Sequence, residues 1–238
     1  SEIVTRANCL LIANEKQLHF YEGFFYGIDK HNYNSFQFSP ILKVPCGVEQ
    51  TTKTRTIQDS TDLRLLWLGP IQSWDYPELL LKEVINYDDI AVDFVNIRHA
   101  RQPKVFNTYF KPYFERIDDI SNMSVLKSNE PDLNSYDFVI SLCRNWILSS
   151  YIHKSWLLDV IEQGVPVVTN SEDALYHEVD FLRDSICPVD INFVKGQLED
   201  LRKRKHEYNV SEVTKSRLHD IFSWQNVLLP VVDYIHNF

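Results

Sequence analysis

The sequence predicts an α/β fold in which helices cover both faces of a parallel sheet. Short, nearly continuous apolar runs recur along the chain, and such runs are typical of strands buried on both faces. They alternate with amphipathic stretches of helical period, as in sheets whose parallel strands are joined by crossover helices. The 238 residues suit one large domain or one and a half. Glycine occurs only six times and no GxGxxG or phosphate-loop fingerprint is present, so no such motif marks a nucleotide site.

The first elements are less regular than those that follow. A strand is expected over 8–14 and a helix over 15–25, followed by an irregular polar and aromatic stretch. Residues 41–50 are expected to be extended. Residues 51–62 have no apolar periodicity and are expected to form a loop or linker.

From Leu63 onward the alternation becomes regular. Strands are expected, in chain order, over 63–69, 90–97, 123–128, 137–143, 165–170 and 185–190. Helices are expected over 76–87, 153–163, 172–179, 194–208, 211–222 and 224–238. Pro77 suits a first helical turn, and Pro230 is expected to kink the last helix. The stretch 104–117 stays ambiguous because Pro112 would break a long helix.

Composition excludes several classes of function. The formal net charge is −9, whereas nucleic-acid-binding domains are typically basic. The one dense basic run, 202–205, follows two acidic residues and is expected to be a solvated helix face. The four cysteines form no CxxC pair, which favours buried thiols in a reducing compartment, and we expect a cytoplasmic protein. No apolar run approaches the ~20 residues of a transmembrane helix, and the histidines show no metal-binding spacing.

Five segments, taken in order, resemble one family. They are "ILKVPCGVEQ", "LRLLWLGPI", "VLKSNEPDLNSYDFVISLC", "LLDVIEQGVPVVTN" and "FSWQNVLLPVVDYIHNF". They resemble the hinge, the first strand with its glycine turn, the strands around the nucleotide, the "lEAmAcGxPVvat" segment and the closing helix of the retaining, family 4-like GT-B glycosyltransferases. Each segment is weakly specific, but their common order covers about residues 8–238.

The resemblance implies a Rossmann-like sheet similar to the C-terminal domain of GT-B enzymes. Residues 1–45 would be the remnant of a first Rossmann domain plus the hinge. Residues 46–222 would bind the nucleotide, and 223–238 would form a C-terminal crossover helix. It also implies that a partner chain or a missing N-terminal domain completes the cleft.

The resemblance further implies a site for a nucleotide-sugar donor, which is the substrate, with no additional cofactor and no metal. Gly69 and Pro70 would form the turn beneath the diphosphate, and Asp159 would hold the ribose. Backbone groups of Ser150 and Tyr151 would lie near phosphate, at a helix start expected over 149–153. Three residues would lie along the base: Asn129, Glu130 and Pro131. Three cations are candidates for the phosphates: Arg144, His153 and Lys154.

The sequence also departs from the family pattern. Pro70 stands where the family has the first of two basic residues, and the first cation of that segment, Lys82, falls inside the following helix. Of two glutamates eight residues apart, the second is matched by Asp159 and the first by Tyr151. Losing one group that meets developing charge typically costs about 10²–10³ in rate. No general base can be assigned.

Three interpretations therefore remain open. The first is a glycosyltransferase, or its donor-binding half, in which other cations replace the missing pair. The second is a catalytically inactive pseudo-glycosyltransferase that acts as a protein-interaction or scaffold domain. The third is a nucleotide-binding regulatory domain. Simpler explanations also exist, since Asp159 suits a solvent-facing helix position and Gly164 suits a helix end.

Overall fold

The structure, a computed structural model, describes most of the chain. The described residues are 9–28, 41–51, 55, 60–68, 75, 77–95, 111, 115, 120–126, 131–144, 146–151, 154–190 and 194–237. None of the helices in these ranges is long and apolar enough to cross a membrane.

The strands and helices alternate as expected. The strands are β1 (Leu10–Ile12), β2 (Ile41–Lys43), β3 (Leu63–Leu68), β4 (Ile90–Val95), β5 (Met123–Val125), β6 (Phe138–Ser141), β7 (Val167–Asn170) and β8 (Ile186–Val189). The helices are α1 (Glu15–Ile28), α2 (Pro77–Val84), α3 (Trp146–Tyr151), α4 (Trp156–Glu162), α5 (Ala174–Glu178), α6 (Val194–Arg204), α7 (Glu212–Phe222) and α8 (Trp224–His236). Short 3₁₀ turns cover Leu133–Ser135, Asp180–Ser185 and Lys205–Glu207.

Six strands form one parallel sheet in the order β5-β4-β3-β6-β7-β8. The chain winds outward from β3 to β5 and then restarts at β6, on the other side of β3. Such an order places a crevice at the carboxyl ends of the two central strands, where the connections diverge. A second, two-stranded parallel sheet pairs β1 with β2.

The two faces of the large sheet are covered by separate apolar clusters. Alternate residues of β3 divide between them, since Leu65 and Trp67 join one cluster and Leu66 joins the other. The first cluster is covered by α2 and α6, and the second by α4, α5 and α7. The predicted parallel sheet with helices on both faces is therefore confirmed.

Helix α4 ends at Gly164 for a reason that the sequence indicates. Gly164 has a φ of 87°, which a side chain would strain, and its N–H donates to the Ile161 carbonyl at 2.8 Å. The N–H of Val165 donates to the Val160 carbonyl at 3.2 Å. These two bonds form a Schellman motif, which stops the helix and directs the chain into β7.

Asn122 closes the connection between α2 and β4. Its side-chain amide donates to the carbonyls of Val84 at 2.8 Å, Tyr87 at 2.6 Å and Ile90 at 3.0 Å. The amide thereby fixes the start of β4 beside β5, which follows Asn122 directly.

The last helix returns to the hinge segment. Val48 is buried, pairs with Ser223, and donates its N–H to the Phe222 carbonyl at 2.7 Å. A side chain at Gly47 would collide with the ring of Trp224, so the absence of a side chain lets α8 begin here. Ser223 stands at the N-terminus of α8, and its side chain makes no capping hydrogen bond. Pro230 lies inside α8.

Candidate functional site

The crevice between β3 and β6 is bridged by backbone pairing just beyond the strand ends. Asp75 forms an antiparallel bridge with Cys143, which lies two residues past the end of β6. The Cys143 N–H also donates to the side-chain oxygen of Asn170, the last residue of β7, at 2.6 Å. The next residue, Arg144, is exposed. Arg144 therefore lies near the carboxyl end of β6, the edge at which the sequence predicts a phosphate.

Lys154 is buried and has a structural role. Its ammonium pairs with the Asp173 carboxylate at 2.9 Å and donates to the Ser141 carbonyl at 3.3 Å and to Thr169 Oγ1 at 3.2 Å. Thr169 in turn donates to Asp173 at 2.9 Å. An ammonium has three protons, and three acceptors surround this one. The expectation that Lys154 contacts phosphate does not fit this arrangement, because its protons and its charge are already matched inside the protein.

The helix start expected over 149–153 is also wrong. Residues Trp146–Tyr151 already form α3, and α4 begins only at Trp156. In an α-helix the N–H groups of the later residues donate to carbonyls one turn earlier. The N–H groups of Ser150 and Tyr151 are thus used within α3, and the free backbone groups at this end are carbonyls.

The carbonyl of Tyr151 joins α3 to the segment that follows β1. The carbonyl of Tyr151 accepts hydrogen bonds from the side-chain amides of Asn14, at 3.0 Å, and Gln17, at 2.9 Å. Asn14 is almost fully buried, and the Tyr151 ring packs edge-on against Phe20 of α1. Tyr151, which stands where the family has a glutamate, therefore connects the large sheet to α1.

Asp159 is exposed on α4 and lies in an acidic environment. Partial loss of solvent around the carboxyl, followed by the charges of Glu49 and Glu162, raises the pKa of Asp159. Glu162 is buried, and one of its oxygens accepts the Thr51 N–H at 3.2 Å, while the other has no hydrogen-bond partner in the structure. A carboxylate with a raised pKa is suited to accept hydrogen bonds from a neutral hydroxyl pair.

The remaining predicted residues fall in two groups. Pro131 lies just before the 3₁₀ turn Leu133–Ser135, which Asp132 caps by accepting the Asn134 N–H at 3.1 Å. The second group lies outside the described residues and comprises Gly69, Pro70, Asn129, Glu130 and His153.

In the part of the chain that is described, no cluster of three or more His, Cys, Asp or Glu side chains could hold a metal ion.

Sequence reasoning missed Asp173 and Asn170. Asp173 caps α5, accepting the Leu175 N–H at 3.0 Å, and an acidic residue before a helical run is a recognised signal for a cap. Its pairing with Lys154 is a tertiary contact without a local signal. Asn170 is a polar residue at the end of an apolar run, the position at which sheets of this type place ligand or loop contacts.

Comparison with known proteins relates the fold to solved structures but not to any sequence family. No family profile and no curated protein matches this sequence. Anabaena HepE in complex with UDP-glucose is similar, with a TM-score of 0.67 at 10% identity over 100% of this chain and 66% of HepE. A variant of S. aureus TarM in complex with Fondaparinux, alpha-GlcNAc-glycerol and UDP gives 0.64 at 12% identity over 97% of this chain and 44% of TarM.

Sucrose-phosphate synthase from Thermosynechococcus elongatus gives a TM-score of 0.63 at 9% identity, over 99% of this chain and 59% of that protein. These three proteins are GT-B glycosyltransferases, and the chain has the GT-B fold. It spans between 44% and 66% of the lengths of these structures. The similarity extends over nearly the whole chain, and the predicted α/β fold class, a parallel sheet with helices on both faces, is confirmed.

Proposed function

We propose that this chain is the donor-binding half of a retaining glycosyltransferase, which moves a sugar from a nucleotide-diphosphate donor to an acceptor hydroxyl. The fold supports this proposal, because the GT-B neighbours include HepE with UDP-glucose and TarM with UDP. The observation that carries it is Asp159, an exposed carboxyl on α4 with a raised pKa and two acidic neighbours. Such a group costs the protein stability and benefits from hydroxyl donors.

The proposed roles rest on the order of the residues in the chain and on the resemblance to the family. Asp159 accepts hydrogen bonds from the ribose hydroxyls, and Arg144 meets the diphosphate beyond the end of β6. Gly69, Pro70, Asn129, Glu130 and Pro131 keep their proposed places around the phosphates and the base. Lys154, Ser150 and Tyr151 are no longer part of the proposed site, because their donor groups are used elsewhere.

Calorimetric titration with UDP, GDP and ADP tests this proposal. One nucleotide should bind, and Asp159→Ala should weaken it about tenfold, the effect of losing a hydrogen bond to a charged group. Arg144→Ala should weaken it by a similar factor. Asp233→Ala removes an exposed carboxylate of α8 and should change nothing. The absence of binding of all three nucleotides at millimolar concentration would sink the proposal.

The same titration should depend on pH through Asp159. Hydroxyl donors stabilise the ionised carboxylate and lower its raised pKa, so affinity should increase as pH rises through that pKa. Asp159→Ala should remove this dependence, while Asp233→Ala should keep it.

The buried Lys154–Asp173 pair favours a second candidate, a catalytically inactive scaffold with this fold. The pair uses one of the cations that the family pattern led us to expect at the phosphates, and Tyr151 replaces a carboxylate. A scaffold would fail the nucleotide titration but would still bind a protein partner.

In both candidates a covering domain would lie over the small, two-stranded sheet of β1 and β2, and we include this domain in the proposal. The sheet has two strands of three residues, and two-stranded sheets are marginal by themselves. Helix α8 exposes Leu228, Leu229, Val232 and Ile235 next to it. We expect a first Rossmann-like domain, on a partner chain or N-terminal to this chain, to cover this surface and complete the cleft.

A further inference from the structure

Glu162 is a buried carboxylate at the end of α4, and it has no role in the nucleotide site proposed above. The residue is 3% exposed. One of its oxygens accepts the Thr51 N–H at 3.2 Å and lies 3.5 Å from Nε2 of His219. The other oxygen makes no hydrogen bond with the described residues. Burying a carboxylate with so few partners is costly, and an apolar residue would fill this position at a lower cost.

The hinge segment reaches the ends of α4 and α7 through residues 48–51. Val48 is buried, and its N–H donates to the Phe222 carbonyl at the end of α7 at 2.7 Å. Three residues later, the N–H of Thr51 donates to Glu162 at the end of α4. Glu162 therefore joins the hinge segment to the helix that carries Asp159.

The hinge segment and α4 both bring negative charges to Asp159. Glu162 follows Asp159 by three residues, and side chains at this spacing are neighbours on a helix. After the larger effect of partial loss of solvent, the charges of Glu49 and Glu162 raise the pKa of Asp159. The charge of Glu162 thus disfavours the ionised form of Asp159, which is the form suited to accept hydrogen bonds from ribose hydroxyls.

Three basic side chains lie around the end of α4. Lys215 pairs with Glu212 at 3.0 Å, and Arg55 donates to two backbone carbonyls, at 2.8 and 3.3 Å. The third is His219, which is charged only when it is protonated. A proton on His219 would oppose the effect of Glu162 on the neighbouring carboxyl.

We propose that Glu162 is a positioning residue that couples the hinge segment to the nucleotide site, because it holds Thr51 through its oxygen and acts on Asp159 through its charge. Donor binding and the seating of the hinge segment are thereby linked, since one side chain affects both. The part of this inference that concerns the nucleotide rests on the proposed function, whereas the two contacts of Glu162 do not.

Two substitutions separate the oxygen of Glu162 from its charge. Glu162→Gln removes the charge and keeps an oxygen that can accept the Thr51 N–H, whereas Glu162→Leu removes both. In Glu162→Gln, carboxyl NMR should show Asp159 ionising at a lower pH than in wild type, because a negative neighbour is lost. Exchange of the Thr51 amide should stay within about twofold of wild type in Glu162→Gln and become about tenfold faster in Glu162→Leu.

Glu199→Gln is the matched control for both measurements. It removes an exposed carboxylate of α6, which covers the other face of the large sheet, and should change neither the ionisation of Asp159 nor the exchange of Thr51. The shift caused by Glu162→Gln should persist in a His219→Gln background, which removes the titrating imidazole beside Glu162.

Titration of UDP at several pH values gives the functional result on the full chain. In Glu162→Gln the affinity should rise at a lower pH than in wild type, a shift that a purely structural role of Glu162 would not produce. Unchanged ionisation of Asp159 in Glu162→Gln, or unchanged exchange of Thr51 in Glu162→Leu, would overturn the inference. If UDP did not bind while both NMR effects appeared, the proposed function would fail and the coupling of Thr51 to Asp159 would stand.

Discussion

The positive charge of Lys154 lies in the interior of the protein. It is compensated there because the ammonium contacts Asp173 and Thr169. Both members of the ion pair are buried, Asp173 completely. Removing two charges from water is costly, so such a pair contributes little net stability compared with apolar residues. Removing one partner is different, since it leaves the other charge buried and uncompensated.

We therefore expect Lys154→Met to lower the free energy of unfolding by about 3–5 kcal/mol in urea denaturation. Adding Asp173→Asn should recover part of this loss, because asparagine is neutral and can still cap α5. Lys203→Met removes an exposed pair with Glu199 and should cost at most about 1 kcal/mol. If Lys154→Met cost no more than Lys203→Met, the structural role of Lys154 would be refuted.

At the scale of elements, burial explains which predictions succeeded. The strands of the large sheet were predictable because residues buried on both faces form continuous apolar runs. Helix α3 was missed because six residues are too few for helical periodicity to be recognised, and its end is fixed by α1 through the Tyr151 carbonyl. The local motif at Gly164 could be predicted, whereas the Lys154–Asp173 pair could not, since it joins residues nineteen positions apart.

Helix α8 has one buried side and one uncovered apolar side. Val227→Ala should cost about 1–2 kcal/mol, because Val227 packs in the core. Ile235→Lys should change stability by less than about 0.5 kcal/mol, because Ile235 is 63% exposed. Ile235→Lys should also abolish docking of a covering domain. Urea denaturation measures the change in stability, and sedimentation velocity measures the docking. Equal destabilisation by the two changes would show that Ile235 is already covered within this chain.

At the scale of the whole molecule, the two sheets differ in how firmly they are held. The central strand β3 of the large sheet is paired on both sides and buried on both faces. Among the described residues, β1 of the small sheet pairs only with β2, and the residues that follow β1 contact α3 through the Asn14 and Gln17 side chains. Regions with few buried contacts open locally at a lower free energy than the core.

Hydrogen exchange should reveal this difference. Peptides covering β1 and β2 should exchange at least about a hundredfold faster than those covering β3 and β6. Asn14→Ala should speed the small sheet further and leave β3 unchanged, because it removes one of the two bonds to Tyr151. Equal protection of both sheets would contradict an incomplete small sheet.

The three hydrogen bonds of Asn122 have a consequence for producing this protein. Asn122 and Asn209 both begin an Asn-X-Ser triplet, which a secretory pathway can glycosylate. The Asn122 amide nitrogen that would carry the glycan contacts three carbonyls, whereas Asn209 is exposed. A sugar added to Asn122 during translation would block the α2–β4 connection, so secreted material should contain misfolded chains. Asn122→Asp would prevent the glycosylation but would not correct the misfolding, because a carboxylate cannot donate to the three carbonyls. Expression in a bacterial cytoplasm avoids the modification.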